Sequence, residues 1–252
     1  MDKEITKYQN NFNEKIENLY MLHYITKKYD HIIGNIGNQR GTWTLFEPSK
    51  FIYAYFAFNS FYNFDWEKSI KEKILLSFET ENIGKKESIT CPECAHIFEK
   101  EKKITEGQKY KAMIDFIFDR AIEPEKQFIE IILEKCGRKE KIIEDIEGIT
   151  PDDYIEDYER EGFKKEFFKL LETGIIKKKP LRDVIIRFIF LVRNNIFHGS
   201  KDTIQMSENC QRRRLNIYSN IIIAINELLF KVLEEETEFK PKRNYYLPQL
   251  AF

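Results

Sequence analysis

Residues 180–201 read Pro-Leu-Arg-Asp-Val-Ile-Ile-Arg-Phe-Ile-Phe-Leu-Val-Arg-Asn-Asn-Ile-Phe-His-Gly-Ser-Lys. The proline suits a first helical turn and Gly199 suits a C-cap, so the stretch predicts one apolar helix that stops just past His198. At 100° per residue Arg187, Asn194 and His198 fall within about 40° of one another, on a segment otherwise made of Ile, Leu, Val and Phe. The expectation is a buried central helix with one polar seam. Its reactive groups, Arg193, Asn194 and His198, gather at one end.

On the C-terminal side, residues 207–236 begin with a serine cap and continue as a long amphipathic pattern, which predicts a second apolar helix. On the N-terminal side, a glycine-bearing loop over 34–47 precedes an aromatic helix over 48–63, and further helical patterns cover 3–30, 66–80, 107–121, 124–136 and about 161–173. Residues 137–160 are strongly charged and expected to be irregular in part. Residues 82–106, rich in Lys and Glu around a Cys-Pro-Glu-Cys turn, are expected to form an exposed insertion. With 10 Gly, 7 Pro and 33% charged residues in 252, the composition favours helices over a sheet rich in tight turns. The fold class read from the sequence is all-α, as a single domain over 1–252.

Forty-one basic residues against 42 acidic ones leave a formal charge of −1, so no global positive field draws in a polyanion, and any contact with nucleic acid has to be local. The first residues are polar and acidic where an export signal needs an apolar core. The longest apolar runs are broken by Arg187, Asn220 and Asn226, short of the ~20 apolar residues of a membrane span. Four cysteines are too few for a disulfide scaffold and fit a reducing cytoplasm.

The block Arg193-Asn194-xxx-His198, closing one apolar helix before a second, resembles the R-x4-6-H motif of the HEPN superfamily. The aromatic segment 51–66 also looks like the early helix of several HEPN families. The resemblance covers 180–236 well, 45–80 less closely and 82–179 hardly at all. It implies a HEPN-like helical bundle acting as a metal-independent endoribonuclease without cofactor. His198 would take a proton from a ribose 2′-OH and return one to the 5′-oxygen leaving group. Arg193 would face the developing phosphorane charge, and Asn194 would orient the histidine or the phosphate. It also implies a homodimer with facing motifs, and service in phage defence or a toxin–antitoxin pair under a partner antitoxin or sensor. Two rivals stand beside it. One is a non-catalytic HEPN-like module partnering a nucleotidyltransferase; the other is a helical adaptor in which His198 only caps its helix through the dipole and last carbonyls.

On a regular helix Arg193 and His198 point about 140° apart. Either the helix unwinds before His198, or a second copy completes the cleft. Arg212, Arg213 and Arg214 stand in the first two turns of the last helix, where the dipole disfavours cations. They read either as an RNA phosphate patch with Lys201 or as ion-pair partners of the acidic 137–160 region. Lys177, Lys178 and Lys179 precede the motif by ~27 Å of helix and read as a solvated turn. Asn59, amid aromatic residues, either meets the polar seam as part of the RNA site or satisfies local packing. Cys91 and Cys94 have the spacing of one zinc knuckle, which Cys136 with His96 would have to complete. The surface-turn reading is preferred, so no metal is expected.

Overall fold

The computed structural model describes residues 14, 16–24, 46–63, 86–90, 97–101, 105–150, 155–197 and 208–236. The fold over these residues is predominantly helical. Helical residues 16–24 are α1, followed by α2 (Phe46–Tyr62), α3 (Glu106–Arg120), α4 (Pro124–Cys136), α5 (Lys139–Glu147) and α6 (Asp157–Thr173). A continuous helical run then passes through Lys178–Pro180, a π turn at Leu181–Ile185 and α7 (Ile186–Phe197), before α8 (Asn209–Glu236). Local chemistry accounts for several of these boundaries. Thr105 and Gln108 make a reciprocal capping box at the start of α3, which satisfies two otherwise orphan N–H groups. Pro124 opens α4, and Gly174 ends α6 at φ 67, in the left-handed region that a residue with a Cβ enters at a cost.

Three segments differ in detail from their reading in the sequence. Residues 86–90 and 97–101 pair as an antiparallel hairpin, β1 (Lys86–Thr90) and β2 (Ile97–Glu101), with Lys86 opposite Glu101 and Thr90 opposite Ile97. The hairpin lies inside the 82–106 segment read as an insertion, and the fold remains predominantly helical, as the sequence reading has it. Lys-Glu-Ser-Ile-Thr and Ile-Phe-Glu-Lys-Glu lack the sustained alternation of apolar and polar residues by which a strand announces itself. Residues 139–147, within the 137–160 stretch expected to be irregular in part, form α5, whose Ile142 and Ile146 occupy one buried face. The motif helix is not one regular α-helix either. At the π turn the Ile186 N–H bonds to the Leu181 carbonyl five residues back, which shifts the register ahead of the motif.

The buried centre is α8 and not the motif helix. Between Ile217 and Leu233 only Glu227 and Lys231 escape burial, whereas residues 190–196 are half-buried except for Asn195. The stretch Cys210–Glu235 is long and apolar enough to cross a membrane by length and composition, yet 83% of that apolar window lies inside the fold.

Helix α2 runs parallel to α8. Glu47 meets Arg212, Phe51 meets Tyr218 and Phe61 meets Phe230. Lys50, Ala54, Ala57 and Phe61 form one buried stripe, and the two alanines permit close approach of helix backbones. Lys50 is 2% exposed, and its Nζ donates to Asn216 Oδ1 at 2.9 Å and Asn220 Oδ1 at 3.0 Å. A buried ammonium needs such acceptors, so this contact fixes how far α2 can slide along α8. Asn220 Nδ2 in turn donates to Cys136 Sγ at 3.2 Å, tying in α4, which runs antiparallel to α8. The other interruption of that apolar run, Asn226, is fully buried.

The π turn is clamped onto α3 by charge. Arg182 donates to both Asp183 oxygens, at 3.1 and 2.9 Å, and to Asp115 Oδ2 at 2.6 Å. Lys111 lies 3.0 Å from Asp183, and Lys178 donates to Asp119 at 2.6 Å, so one lysine of the expected solvated turn is pinned to α3. Hydrogen bonds from Arg182 hold the Asp183 carboxyl below the usual carboxylate range, with Lys111 assisting. A carboxyl whose folded pKa lies below its unfolded value of about 3.9 adds stability above that value and loses it as pH falls through the folded one. Asp183→Asn is therefore expected to lower the unfolding free energy from urea titration at pH 7, by up to ~1 kcal/mol because the group is partly solvated, and the gap to wild type should shrink by pH 3. An equal gap at both pH values would show that the ion cluster contributes nothing through its charge.

Candidate active site

Arg193 and Asn194 sit near the C-terminal end of α7, Arg193 one residue ahead of its last turn. Arg193 Nη1 donates to Asn194 Oδ1 at 2.9 Å. Its guanidinium carbon stands 5.2 Å from the centroid of the Tyr55 ring and 6.0 Å from that of Phe190, within cation–π range of both. On another side, Nη2 is 3.8 Å from Glu106 Oε1, the two side chains being 20% and 34% exposed. The same Glu106 oxygen accepts a hydrogen bond from the Tyr62 hydroxyl. Three elements therefore meet at the arginine's head: α2 through Tyr55, the first residue of α3, and Asn194 and Phe190 of α7.

Phenols surround the site. Tyr55 and Tyr62, two turns apart on α2, are both pushed well above the ordinary phenol range, first by burial. For Tyr62 the neighbouring Tyr55 and Glu106 add to the effect. Burial also pushes Tyr110 up to about 12, and its ring lies 6.4 Å from that of Tyr62 and 5.8 Å from that of Phe190. All three are protonated at neutral pH and serve as hydrogen-bond donors or ring faces.

The other expected site residues are distributed differently. His198 and Lys201 lie outside the described residues, as do Cys91 and Cys94; α7 ends at Phe197, the residue before the histidine. Arg187, expected on the polar seam, instead bonds Glu159 of α6 at 3.2 Å. Asn59 accepts at Oδ1 from Asn63 Nδ2 at 2.5 Å, and Asn63 accepts from Lys109 at 2.8 Å, so its carboxamide is used at the α2–α3 junction.

The three arginines of α8 are spread over two neighbouring helices. Arg212 makes a bidentate pair with Glu47, both bonds 2.8 Å. Arg213 Nε donates to Asp145 Oδ1, and Arg214 donates to the carbonyls of Asp145 and Gly148. For Arg213 and Arg214 this is the pairing with the 137–160 region. Arg212 reaches α2 at Glu47, ~12 Å along the axis from Tyr55, where Arg193 rests. Arg213 alone keeps about half its side chain, 47%, exposed.

Tyr55, Tyr62 and Glu106 were not legible as site residues. The two tyrosines do share one face of an aromatic helix at a seven-residue step, the same step that aligns ordinary core residues. Glu106 carries only the local signature of an acidic first turn after a capping threonine. Among the described residues no group of three or more His, Cys, Asp or Glu side chains comes together as a metal site. In comparisons with known proteins the chain matches no family model, no curated protein and no solved structure.

Proposed function

We propose that the chain is a HEPN-like endoribonuclease that cleaves single-stranded RNA without a metal ion. The observation that carries this reading is the Arg193–Asn194 pair: a guanidinium backed by aromatic faces and partly open, hydrogen-bonded to its neighbour, at the end of an apolar helix. His198 follows the helix's last residue in sequence. In the proposed reaction the imidazole accepts the proton of a ribose 2′-OH as that oxygen attacks the adjacent phosphorus. The bond from phosphorus to the 5′-oxygen breaks, and the imidazolium returns a proton to the departing oxygen. The products are a 2′,3′-cyclic phosphate and a 5′-OH end. Arg193 stabilises the extra negative charge on the phosphorane.

The proposal extends to a homodimer in which each motif completes the other's cleft, acting in the cytoplasm as a defence or toxin effector held in check by a partner protein. The resemblance of the Arg193-Asn194-xxx-His198 block to the HEPN motif supports that biological role. The test is incubation of the purified full chain with single-stranded RNA in EDTA, followed by end-group analysis. Cyclic-phosphate ends on the products are expected. Intact RNA, or cleavage that stops in EDTA, would overturn the reading.

A second reading has one observation on its side. Glu106 faces Arg193 within the chain, so the arginine has a counter-ion without any substrate, as befits a non-catalytic HEPN-like module that partners a nucleotidyltransferase or another regulator. Intact RNA in the EDTA experiment would favour it.

A further inference from the structure

We infer that Glu106, held by the Tyr62 hydroxyl, is a positioning residue that sets the plane of the Arg193 guanidinium for a backbone phosphate of single-stranded RNA. The inference rests on the reading of Arg193 as the phosphate-facing cation of the site. Its geometry does not involve His198.

At 3.8 Å the contact between Arg193 Nη2 and Glu106 Oε1 is an ion pair and not a hydrogen bond. A carboxylate meant simply to neutralise a guanidinium would bind it through two short parallel bonds, as Glu47 does with Arg212 at 2.8 Å twice. Glu106 instead directs the same oxygen to Tyr62. The Tyr62 phenol is 2% exposed, and a buried hydroxyl is costly to leave without an acceptor, so this hydrogen bond anchors the carboxylate to α2. The first turn that carries Glu106 is fixed as well, by the capping box between Thr105 and Gln108. The carboxylate is thus tied at its backbone and at one oxygen, and stands at a set distance from the arginine.

Around the guanidinium, Tyr55 supplies the ring face and Asn194 takes Nη1. Ring, carboxamide and carboxylate together define a plane, which is what two-pronged recognition of phosphate oxygens demands. A fixed negative charge at this distance has two opposed consequences. It repels an incoming phosphate and weakens RNA binding, and it orients the cation and speeds the chemical step. A residue present only for stability would move both quantities together.

The test uses the full chain as Glu106→Gln and Tyr62→Phe, with a fluorescent single-stranded 2′-O-methyl RNA to measure binding and the unmodified RNA to measure cleavage. Glu106→Gln removes the charge and is expected to bind about threefold tighter, a modest Coulomb effect near solvent, while kcat falls by roughly tenfold through loss of orientation. Tyr62→Phe keeps the charge but frees the carboxylate, so it is expected to lower kcat without tightening binding.

If wild type cleaves and Glu106→Gln matches it in both binding and kcat, or loses both in step with a lowered melting temperature, the inference is overturned and the ribonuclease reading stands. If wild type binds the RNA without cleaving it and Glu106→Gln still binds tighter, the ribonuclease reading fails while Glu106 keeps its place beside a phosphate-binding arginine. Absence of RNA binding in every protein would overturn both.

Discussion

Arg193→Lys is expected to lose RNA cleavage by about 10²–10³-fold, the loss typical of removing one preorganised stabilising group, and to be nearly as damaged as Arg193→Ala. The surroundings of the side chain explain why charge alone does not suffice. The guanidinium lies 5.2 Å over the Tyr55 ring, donates through Nη1 to Asn194 and turns Nη2 toward Glu106. A lysine ammonium lacks the flat face for the ring and the fork for two oxygens. Folding should survive, because the side chain is at the helix end and partly exposed. The companion variant His198→Ala is expected to lose cleavage by a further margin, ~10²–10⁴-fold for removal of a general acid–base group, and to abolish any growth inhibition the protein causes. Near-full cleavage by a folded Arg193→Lys would mean that only a positive charge is needed. A folded His198→Ala that cleaves at the wild-type rate would remove the catalytic assignment altogether.

The largest effect on stability is expected from Phe188→Ala. Phe188 is 2% exposed and stacks on Phe163 at 4.3 Å between centroids with 17° between planes. Tyr218 of α8 meets both rings edge-on, each at 5.8 Å. Phe163 stacks further on Phe167 at 5.5 Å, so four rings join α6, α7 and the central helix. Truncating Phe188 removes its burial and leaves a void beside Phe163 and Tyr218, at about 3–5 kcal/mol. For a chain of this length that corresponds to a fall of roughly 10 °C in the melting temperature, measurable by calorimetry or circular dichroism. A loss below about 1 kcal/mol would mean that the stack collapses readily and that α7 is held chiefly by the Arg182 ion cluster. Because Phe188 precedes Arg193 by more than a turn on the same helix, the variant should retain cleavage at temperatures where it stays folded.

The helices were legible in the sequence wherever one apolar face repeats at a helical step. The pattern over 207–236 anticipates α8 to within two residues, and 124–136 coincides with α4, because periodicity and capping are local properties that neighbouring residues specify among themselves. The pairing of Arg193 with Asn194 is local in the same sense. The charged segments were legible only in part. Residues 139–147 hide a helix whose buried face is two isoleucines and an aspartate, and 82–106 contains a hairpin whose strands carry no clear alternation. In the first, packing against other helices completes what composition leaves undecided; in the second, each strand is completed by its hairpin partner.

Which groups meet was decided by tertiary structure. From sequence spacing, Arg212, Arg213 and Arg214 admit a phosphate patch or a set of ion pairs. Only the placement of α5 and α2 against the start of α8 brings Asp145, the Gly148 carbonyl and Glu47 within reach. The apolar run over 180–198 suggests the most buried helix, but burial depends on how many neighbours surround a helix, and α8 takes that place with α2, α4 and α5 around it. Glu106 and Tyr55 reach Arg193 from 87 and 138 positions away in the chain, and no periodicity connects them. The sequence by itself determined the apolar helices, their caps and the Arg-Asn-xxx-His block, because each is set by residues within a few turns. The counter-ion and aromatic bed of the arginine were decided by the tertiary structure alone, because an ion pair depends on distance in space and the packing of α2 and α3 against α7 sets that distance.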